Sequence, residues 1–234
     1  MSLKVVPILC NAGFMDNYAY LLIDEVSSKV AILDASEAKP IINVCEEYGV
    51  RPEYILVTHH HDDHVGGNAE LKEKYNLQIV APLKEKGLIV GADILLKDGD
   101  EFALGSSKAE IIQADGHTNG HILWYFKDAK KLFTGDVLFN LSIGGLFEGT
   151  PEQMWKTLEK IKAMPDDVNF YCGHEYTAHG LSSLPHNEYG EKYLTYVLPR
   201  LKQHLPTVGV PLGLEKKCNP YLQVNSVEKF ESYF

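Results

Sequence analysis

The chain has 234 residues, of which 45% are hydrophobic and 23% are charged, as is ordinary for a globular protein of one large domain or one domain with an appendage. No apolar run approaches the ~20 residues that a membrane-spanning helix needs. We therefore expect no association with a membrane. The net charge of −10 disfavours a nucleic-acid-binding surface, so we expect no nucleic-acid partner.

The first half of the chain alternates short apolar runs with helical patterns. Strands are predicted over residues 5–9, 18–24, 30–34 and 54–57. Between the last two strands, Ser36 is placed to cap a helix that has Ile41 and Cys45 on its apolar face, and Gly49 is placed to end that helix. A second, short helix is predicted over residues 69–75.

The second half begins rich in strands and ends in a helical pattern. Further strands are predicted over residues 77–81, 93–96, 109–114, 121–126, 131–133 and 168–172. Thr150-Pro151-Glu152-Gln153 is a capping box with proline at the first helical position, which predicts a helix to about Ala163. From Thr177 onward, leucine and valine recur at helical spacing. We therefore predict a body of residues 1–176 and a small helical region of residues 177–234.

Strands interleaved with helices predict a layered α/β (α+β) body whose site lies along one edge of a sheet. The stretch Met1–Cys10 is broken too early for a signal peptide, so we expect a cytoplasmic protein, and we expect it to be a monomer. The cysteines form no Cys-x-x-Cys pair and are predicted to be reduced, buried thiols: Cys10, Cys45, Cys172 and Cys218.

A dense group of imidazoles and carboxylates follows the strand over residues 54–57. Within the seven residues from Thr58 to His64, the chain places His59, His60, His61, Asp62, Asp63 and His64. Imidazole and carboxylate are the side-chain ligands of borderline and harder divalent metals. Histidines gathered beside a buried strand would repel one another when protonated, which disfavours a plain solvated loop. The stretch predicts a metal site at a strand-to-loop junction.

Four other fragments place a ligand or a supporting carboxylate just past a strand end, three of them beside a glycine. They are Asp34, Asp115-Gly116-His117-Thr118, Thr134-Gly135-Asp136 and Cys172-Gly173-His174-Glu175. Glycine permits the sharp turn and the close backbone approach that such a position requires. Each fragment alone is equally compatible with a structural role. Together with residues 58–64 they predict one coordinated site.

In this order the motifs resemble those of the metallo-β-lactamase superfamily and, within it, of glyoxalase II, the hydroxyacylglutathione hydrolases. The motifs are Thr-His-x-His-x-Asp-His (58–64), Gly-His-Thr-x-Gly-His (116–121), Thr-Gly-Asp (134–136) and Cys-Gly-His-Glu-Tyr-Thr (172–177). The resemblance extends to residues 16–18, 147–150 and 219–222, and so spans nearly the whole chain. It implies an αββα sandwich followed by a helical substrate-binding region.

The resemblance also implies a ligand set for two divalent ions. His59, His61 and His117 would hold the first ion, Asp63, His64 and His174 the second, and Asp136 would bridge the two. Asp63 and Asp136 are then the catalytic carboxylates, because they help to hold the ions that activate the attacking water. Nitrogen and oxygen ligands of this kind suit zinc, and iron and manganese also accept them. A thioester needs little help from a general acid, and the sequence shows no Ser/His/Asp triad.

Four polar residues near the ligands are expected to support them or to face away from them. His60 alternates with the ligands and should point away from the metals. His121 and Asp34 are expected to orient ligands, since metal-binding side chains are usually held by such partners. Asp62 is expected to be a solvated loop residue.

The substrate side departs from the glyoxalase II pattern. Members that use glutathione typically place a lysine and an aromatic hydroxyl before Glu-Gly-Thr, where this chain has Gly145 and Phe147. Gln223 follows Asn-Pro-Tyr-Leu where the family often has arginine, and the C-terminal tail carries one lysine and no arginine. Tyr176 matches a family substrate contact. We expect Tyr176, Phe147 and Gly145 to contact the substrate.

The resulting hypothesis is a binuclear thioester hydrolase that acts in methylglyoxal detoxification. It would cleave S-(2-hydroxyacyl)glutathione, or a related acyl-thiol such as an S-lactoyl thiol, to a 2-hydroxy acid and free thiol. A persulfide dioxygenase-like enzyme with a single iron is an alternative, which the complete second ligand set disfavours. Other metallo-β-lactamase-fold hydrolases, acting on RNA or β-lactams, are disfavoured by the net charge and by the C-terminal region. An idle metal- or thiol-binding module is disfavoured because no ligand position is degenerate.

Overall fold

The computed structural model describes residues 3–234, and its first half forms one sheet. In chain order this half contains β1 (Leu3–Cys10), β2 (Asn17–Asp24), β3 (Val30–Leu33), α1 (Ala38–Tyr48), β4 (Tyr54–Leu56), α2 (Asp62–Val65), α3 (Asn68–Tyr75), β5 (Gln78–Pro82) and β6 (Ile94–Leu96). The six strands are arranged in chain order, β1-β2-β3-β4-β5-β6. The pairs β1/β2 and β2/β3 are antiparallel, and β3 to β6 run parallel.

A second six-stranded sheet and the remaining helices follow. They are β7 (Glu101–Leu104), β8 (Ser107–Gln113), β9 (Ile122–Phe126), β10 (Lys131–Gly135), β11 (Leu138–Phe139), β12 (Ser142–Ile143), α4 (Pro151–Lys162), β13 (Asn169–Cys172), α5 (Thr177–Gly180), α6 (Glu188–Lys202), β14 (Val210–Pro211), α7 (Leu212–Cys218) and α8 (Val227–Glu231). The strand order is β14-β13-β10-β9-β8-β7, and β11 and β12 pair as a separate hairpin. Among the described strands of this sheet, only β10 and β13 run parallel.

Alternate residues of the first sheet face two different layers, because successive side chains of a strand point to opposite faces. Ile55 packs with Ile41 and Cys45 of α1 in an outer apolar cluster. The next residue, Leu56, packs on the inner side with Trp124 of the second sheet. The Trp124 ring nitrogen donates to the Val57 carbonyl at 3.2 Å, which ties the sheets together. The αββα sandwich predicted from the sequence is confirmed.

Helix α1 begins differently from the sequence prediction. Its N-cap is Glu37, without a side-chain hydrogen bond, so the prediction that Ser36 caps the helix is wrong. The Ser36 hydroxyl instead accepts from Asn11 Nδ2 at 2.9 Å and is engaged away from the helix. The predicted end is confirmed, since Gly49 adopts a left-handed conformation with φ of 63°.

The C-terminal region packs against the body and is not purely helical. Strand β14 pairs antiparallel with β13 and forms one edge of the second sheet. A strand of two residues leaves no hydrophobic period to detect, and the sequence did not predict it. Tyr193 of α6 and Phe170 of β13 belong to the same apolar core. The division at Tyr176 stays a prediction. No helix within residues 3–234 is both long and apolar enough to cross a bilayer.

Candidate metal centre

The loops that follow strand ends bring the predicted ligands together at one edge of the sandwich. His59, His61, Asp63 and His64 follow β4, His117 follows β8, Asp136 follows β10, and His174 follows β13. Three groups of these side chains have ligand atoms within 4.8 Å of one another: His59/His61/His117, His59/His64/Asp136 and Asp63/His64/His174. All seven predicted ligands therefore lie in one place.

Three imidazoles form the first set of donors. His61 Nδ1 lies 3.2 Å from His59 Nε2 and 3.0 Å from His117 Nε2. The rings of His59 and His117 are nearly perpendicular, so their nitrogens approach a common point from different directions. Such an arrangement suits a cation that takes three imidazole ligands.

Asp63, His64 and His174 form the second set, and Asp136 lies between the sets. His174 Nε2 lies 3.4 Å from Asp63 Oδ2 and 3.4 Å from His64 Nε2. Asp136 Oδ1 is 3.3 Å from His64 Nε2, and its Oδ2 is 3.1 Å from His174 Nε2. The same Oδ2 is 3.5 Å from His117 Nε2 of the first set. Asp136 is thus placed to contact ions held by both sets.

In four of the ligand imidazoles, Nδ1 points away from the centre and contacts a neighbouring oxygen. These contacts determine which ring nitrogen carries a proton. His59 Nδ1 contacts Thr58 Oγ1, His64 Nδ1 contacts Asp34 Oδ2, His117 Nδ1 contacts the Gly145 carbonyl, and His174 Nδ1 contacts the Met15 carbonyl. Carbonyls and carboxylates only accept hydrogen bonds, and the Thr58 hydroxyl already donates to Asp34. Each Nδ1 therefore carries a proton, and Nε2 is the nitrogen of each ring that can bind a cation at the centre.

These nitrogens lie in a buried environment that favours a bound cation. Burial holds the pKa of His59 well below its usual range and also lowers those of His61 and His117. Burial opposes ionisation of Asp136, but His64 and His174 outweigh it and keep the pKa of this carboxyl well below its usual range. Neutral imidazoles beside an ionised carboxylate are the metal-binding forms. Asp136 Oδ1 has no hydrogen-bonding partner among the described residues, which also fits a metal ligand.

His64 and His174 differ from the first set because they face carboxylates. Burial opposes their charged forms, but Asp136 raises the pKa of both, and Asp34 adds to this at His64. Each would give up a proton on binding a cation, so uptake of metal at this set depends on pH.

The supporting residues expected from the sequence contact the ligands. The His121 ring stacks on His59 with centroids 4.8 Å apart, and its Nε2 accepts from the Asp136 backbone N–H at 3.2 Å. Asp34 accepts from both the backbone N–H and the hydroxyl of Thr58 as well as facing His64. His60 faces away from the ligands, towards Glu85 and Glu148. Asp62 is exposed.

Sequence reasoning missed other partners of the ligands. Asn17 Nδ2 donates to Asp63 Oδ2 at 2.9 Å, and the carbonyls of Met15 and Gly145 accept from His174 and His117. Asn17 belongs to the Asp-Asn-Tyr fragment noted only for its resemblance. The two carbonyls have no sequence signal, because any residue supplies a backbone oxygen.

A cavity of about 520 Å³ opens above the centre. It is lined by Met15, His61, Asp62, Asp63, His117, Asp136, Phe139, Ser142, Ile143, Gly144, Gly145, Phe147, His174 and Tyr176. The Tyr176 ring stacks on His174 with centroids 4.8 Å apart. Phe147 is 73% exposed and meets the rings of His61 and His117 edge to face. The three predicted substrate contacts therefore border the ligand sets.

Comparison with known proteins agrees with this geometry. The family model of the metallo-beta-lactamase superfamily matches residues 48–174. A hydroxyacylglutathione hydrolase from Pelagibacter ubique is 41% identical over 92% of this chain and 92% of its own length. One from Rhodopseudomonas palustris is 40% identical over 96% of this chain and 88% of its own length.

Among solved structures, the BLEG-1 B3 metallo-beta-lactamase superposes with a TM-score of 0.74 at 21% identity, covering 94% of this chain and 100% of its own. This similarity bears on the fold alone. The two hydrolases match 92% and 96% of the chain, which includes part of the C-terminal region.

Proposed function

The chain belongs to the metallo-β-lactamase superfamily and, within it, to the hydroxyacylglutathione hydrolases, and on this premise we propose that it hydrolyses S-(2-hydroxyacyl) thioesters at a two-metal centre. The products are a 2-hydroxy acid and a free thiol. The observation that carries the proposal is the convergence of seven ligands in two sets beneath one cavity. An S-lactoyl thiol as substrate would give the enzyme a role in methylglyoxal detoxification. The cytoplasmic location and monomeric state stay predictions.

We assign His59, His61 and His117 to one ion, Asp63, His64 and His174 to the other, and Asp136 to both. Zinc suits this mixture of imidazole and carboxylate, and iron and manganese are accepted by the same donors. A bound pair of divalent ions lowers the pKa of water and polarises a carbonyl. The assignment accounts for the two carboxylates within the centre, Asp63 and Asp136.

The chain's own residues orient the reaction. Asn17 holds the Asp63 carboxylate by its side-chain amide, and His121 accepts from the backbone N–H of Asp136, so the chain itself positions both residues. Attack of water at the thioester carbonyl forms the new C–O bond, the C–S bond breaks with the electron pair leaving on sulfur, and the protons of the water pass to the solvent. A thiolate leaves without protonation, so the step requires no general acid from the residues that line the cavity.

The residues of the cavity wall indicate which kind of thiol the substrate carries. We propose that Tyr176, Phe147 and the backbone of Gly145 contact it, with Met15 and Ile143 completing an apolar side. Among the described residues that line the cavity there is no lysine or arginine. A carboxylate that lacks a charge-assisted partner loses about 1.5 kcal/mol or more, which is over tenfold in affinity. A thiol carrier less anionic than glutathione therefore fits the cavity better.

The test is a metal analysis and a thioester panel on one preparation. We expect two metal ions per chain, hydrolysis of lactoyl thioesters, and loss of both the second ion and the activity in His174→Ala. S-lactoylglutathione should show a higher KM than the lactoyl ester of a neutral thiol of similar size. A low KM for the glutathione ester would reject the carrier proposal alone. Two ions without hydrolysis of any thioester would indicate an idle module, and one iron with oxygen uptake on a persulfide would indicate a dioxygenase.

A further inference from the structure

Glu85 is a buried carboxylate close to the centre that the proposed reaction does not use. It ends the 3₁₀ turn Leu83–Glu85 that follows β5, and only 2% of its side chain is exposed. Its Oε1 accepts from the Thr118 hydroxyl, and its Oε2 lies 3.2 Å from His60 Nδ1. Both of these atoms are buried, and neither has an aligned hydrogen-bonding partner among the described residues, so each faces the other across this contact.

The other side of His60 faces a second carboxylate. His60 Nε2 lies 3.4 Å from Glu148 Oε1, and Glu148 Oε2 accepts from the backbone N–H of Asn119 at 2.8 Å. His60 thus lies between two carboxylates from different parts of the chain. We call Glu85, His60 and Glu148 the carboxylate bridge.

The carboxylate bridge joins three loops around the first ligand set. His60 lies between the ligands His59 and His61, and Thr118 directly follows the ligand His117. Glu148 directly follows Phe147, whose ring packs on two of these imidazoles. The second ligand set has no contact of this kind with Glu85 or Glu148 among the described residues.

The loops around Glu85 are closely packed, so no neighbouring side chain has room to move into its place. A Cβ built on Gly120 would lie 2.2 Å from Glu85 Cγ, so the backbone of the His117 loop lies against this side chain. The His117 carbonyl also accepts from the backbone N–H groups of Phe147 at 3.2 Å and of Glu148 at 3.3 Å. Burial raises the pKa of Glu85, so its ionised form is disfavoured at this position. Replacing a buried ionic group by an apolar side chain of similar volume is often neutral or stabilising, so stability alone does not account for a carboxyl here.

We propose that Glu85 and Glu148, acting through His60, are positioning residues that hold the loops of the first ligand set in the geometry that binds metal. They touch neither substrate nor metal. The inference rests on the two-metal centre of the proposed function, and not on its substrate. Loss of an outer partner of a metal ligand typically weakens metal binding by about 10- to 100-fold, and that range is expected here.

The test measures Zn²⁺ affinity by competition with a chelator in two backgrounds that each keep one ligand set. His174→Ala retains the three-histidine set, and His117→Ala retains the second set. Adding Glu85→Ala should weaken Zn²⁺ binding about 10- to 100-fold in the first background and leave it nearly unchanged in the second. Unchanged affinity in the first background, or an equal loss in both, would overturn the proposal. Because the readout is Zn²⁺ affinity, it is independent of any thioester activity.

Conservative variants separate positioning from general stability. Glu85→Gln keeps an acceptor for Thr118 and offers an N–H to His60, whose tautomer can change to suit it, so Zn²⁺ affinity should be largely restored. Glu215→Ala removes another buried carboxyl, whose partners Leu141, Tyr193 and Asn219 are not part of this bridge, and controls for instability alone. Failure of Glu85→Gln to bind better than Glu85→Ala would count against the proposal.

Glu148 supplies a variant that should fold even if Glu85→Ala does not, since its side chain is 36% exposed. In the His174→Ala background, Glu148→Ala should weaken Zn²⁺ binding towards the lower end of the same range. Because both carboxylates act through His60, the losses from Glu85→Ala and Glu148→Ala should not add in the double variant. Full additivity would show that the two residues act separately.

Discussion

The chemistry of the centre depends on contacts that its ligands make on the side away from the cavity. Asp34 shows this most clearly, because its carboxylate meets three donors: the backbone N–H and hydroxyl of Thr58, and Nδ1 of His64. An acceptor at His64 Nδ1 keeps the proton there and leaves the Nε2 lone pair facing Asp63 and Asp136. The side chain beyond the ligand thus selects its tautomer.

Asp34→Asn should therefore weaken metal binding at the second set without altering the fold. The new side chain would retain an oxygen for the Thr58 N–H, but its amide N–H would face the His64 Nδ1 proton. Asparagine also tolerates the left-handed backbone at this position, where φ is 52°. We expect Zn²⁺ affinity of the second set, measured in the His117→Ala background, to fall about 10- to 100-fold. Asp24→Asn changes an equally buried aspartate remote from the centre, and an equal loss there would contradict this interpretation.

Gly173 is required because a larger residue would not fit beside the ligands, and not because the backbone adopts a left-handed conformation there. A Cβ at this position would lie 2.1 Å from Asp136 Oδ1 and 2.8 Å from His64 Cε1. Gly173→Ala should displace Asp136 and so lower both the metal content and the activity of the purified protein by at least tenfold. Metal analysis and thioester hydrolysis measure the two effects. Gly213→Ala is the control, because it is also crowded but lies beside the exposed Asp166. Wild-type metal content in Gly173→Ala would refute the explanation.

At the scale of single residues, the sequence predicts the ligand side chains better than the groups that orient them. His59, Asp136 and His174 lie where a ligand is expected because imidazole and carboxylate after a strand end have a chemical signature. The carbonyls of Met15 and Gly145 have none, although each orients a ligand imidazole. Gly145 was predicted as a substrate contact from the family pattern, and the structure adds this second contact, which its residue type does not encode.

The elements that position the centre differ in how strongly the local sequence determines them. Helix α4 has a complete capping box, in which the Thr150 hydroxyl accepts from the backbone N–H of Gln153 and the Gln153 side chain accepts from that of Thr150. Proline follows at the first helical position. All these signals lie within four residues, so the start of the helix was predictable.

Thr150→Ala should lower the free energy of unfolding by about 1 kcal/mol, because the orphan N–H at the start of α4 loses its acceptor. Urea denaturation followed by circular dichroism measures this change. Thr195→Ala is a matched control in the middle of α6, where the threonine hydroxyl is exposed and bonds within the helix. There alanine should be neutral or slightly stabilising, since its helix propensity is higher. An equal loss in both variants would show that the capping box contributes nothing specific.

Elements that depend on distant contacts were not predictable in this way. Ser36 has a residue type suited to an N-cap, but its hydroxyl bonds to Asn11, which lies 25 residues earlier in the chain. Strand β14 has two residues and exists because β13 presents an open edge to Val210 and Pro211. Strand β7 is also short and was missed, because its burial alternates over only four residues. Tertiary pairing decided each of these cases.

At the scale of the whole molecule, a buried carboxyl in the C-terminal region links that region to the body. Glu215 of α7 is fully buried and accepts from the Leu141 backbone N–H and the Tyr193 hydroxyl, each at 2.6 Å, and from Asn219 Nδ2 at 2.9 Å. Leu141 lies in the turn between β11 and β12, and Phe139 and Ser142 of this hairpin line the cavity. The C-terminal region therefore supports the cavity wall through Glu215.

This position makes stability depend on pH. Burial raises the pKa of Glu215 from its usual 4.5 to about 7, although its hydrogen bonds act in the opposite direction. Between these two values the folded protein keeps a proton that the unfolded chain releases. The free energy of unfolding should therefore fall as pH rises through this window, by on the order of 3 kcal/mol at about 1.4 kcal/mol per pKa unit. The loss is complete only above the folded pKa.

Glu215→Gln should remove this dependence while keeping the contacts, because the amide oxygen can accept from Leu141 and Asn219 and the amide N–H can donate to the Tyr193 hydroxyl. The stability of the variant relative to the wild type should increase by on the order of 3 kcal/mol between pH 5 and pH 8, since only the wild type ionises a buried carboxyl. Urea denaturation at both pH values measures the difference, in which the titration of the metal-binding histidines cancels. Glu70→Gln, on the exposed face of α3, controls for the change from carboxyl to amide. If the difference between Glu215→Gln and wild type is the same at both pH values, Glu215 does not link the C-terminal region to the body as a protonated group.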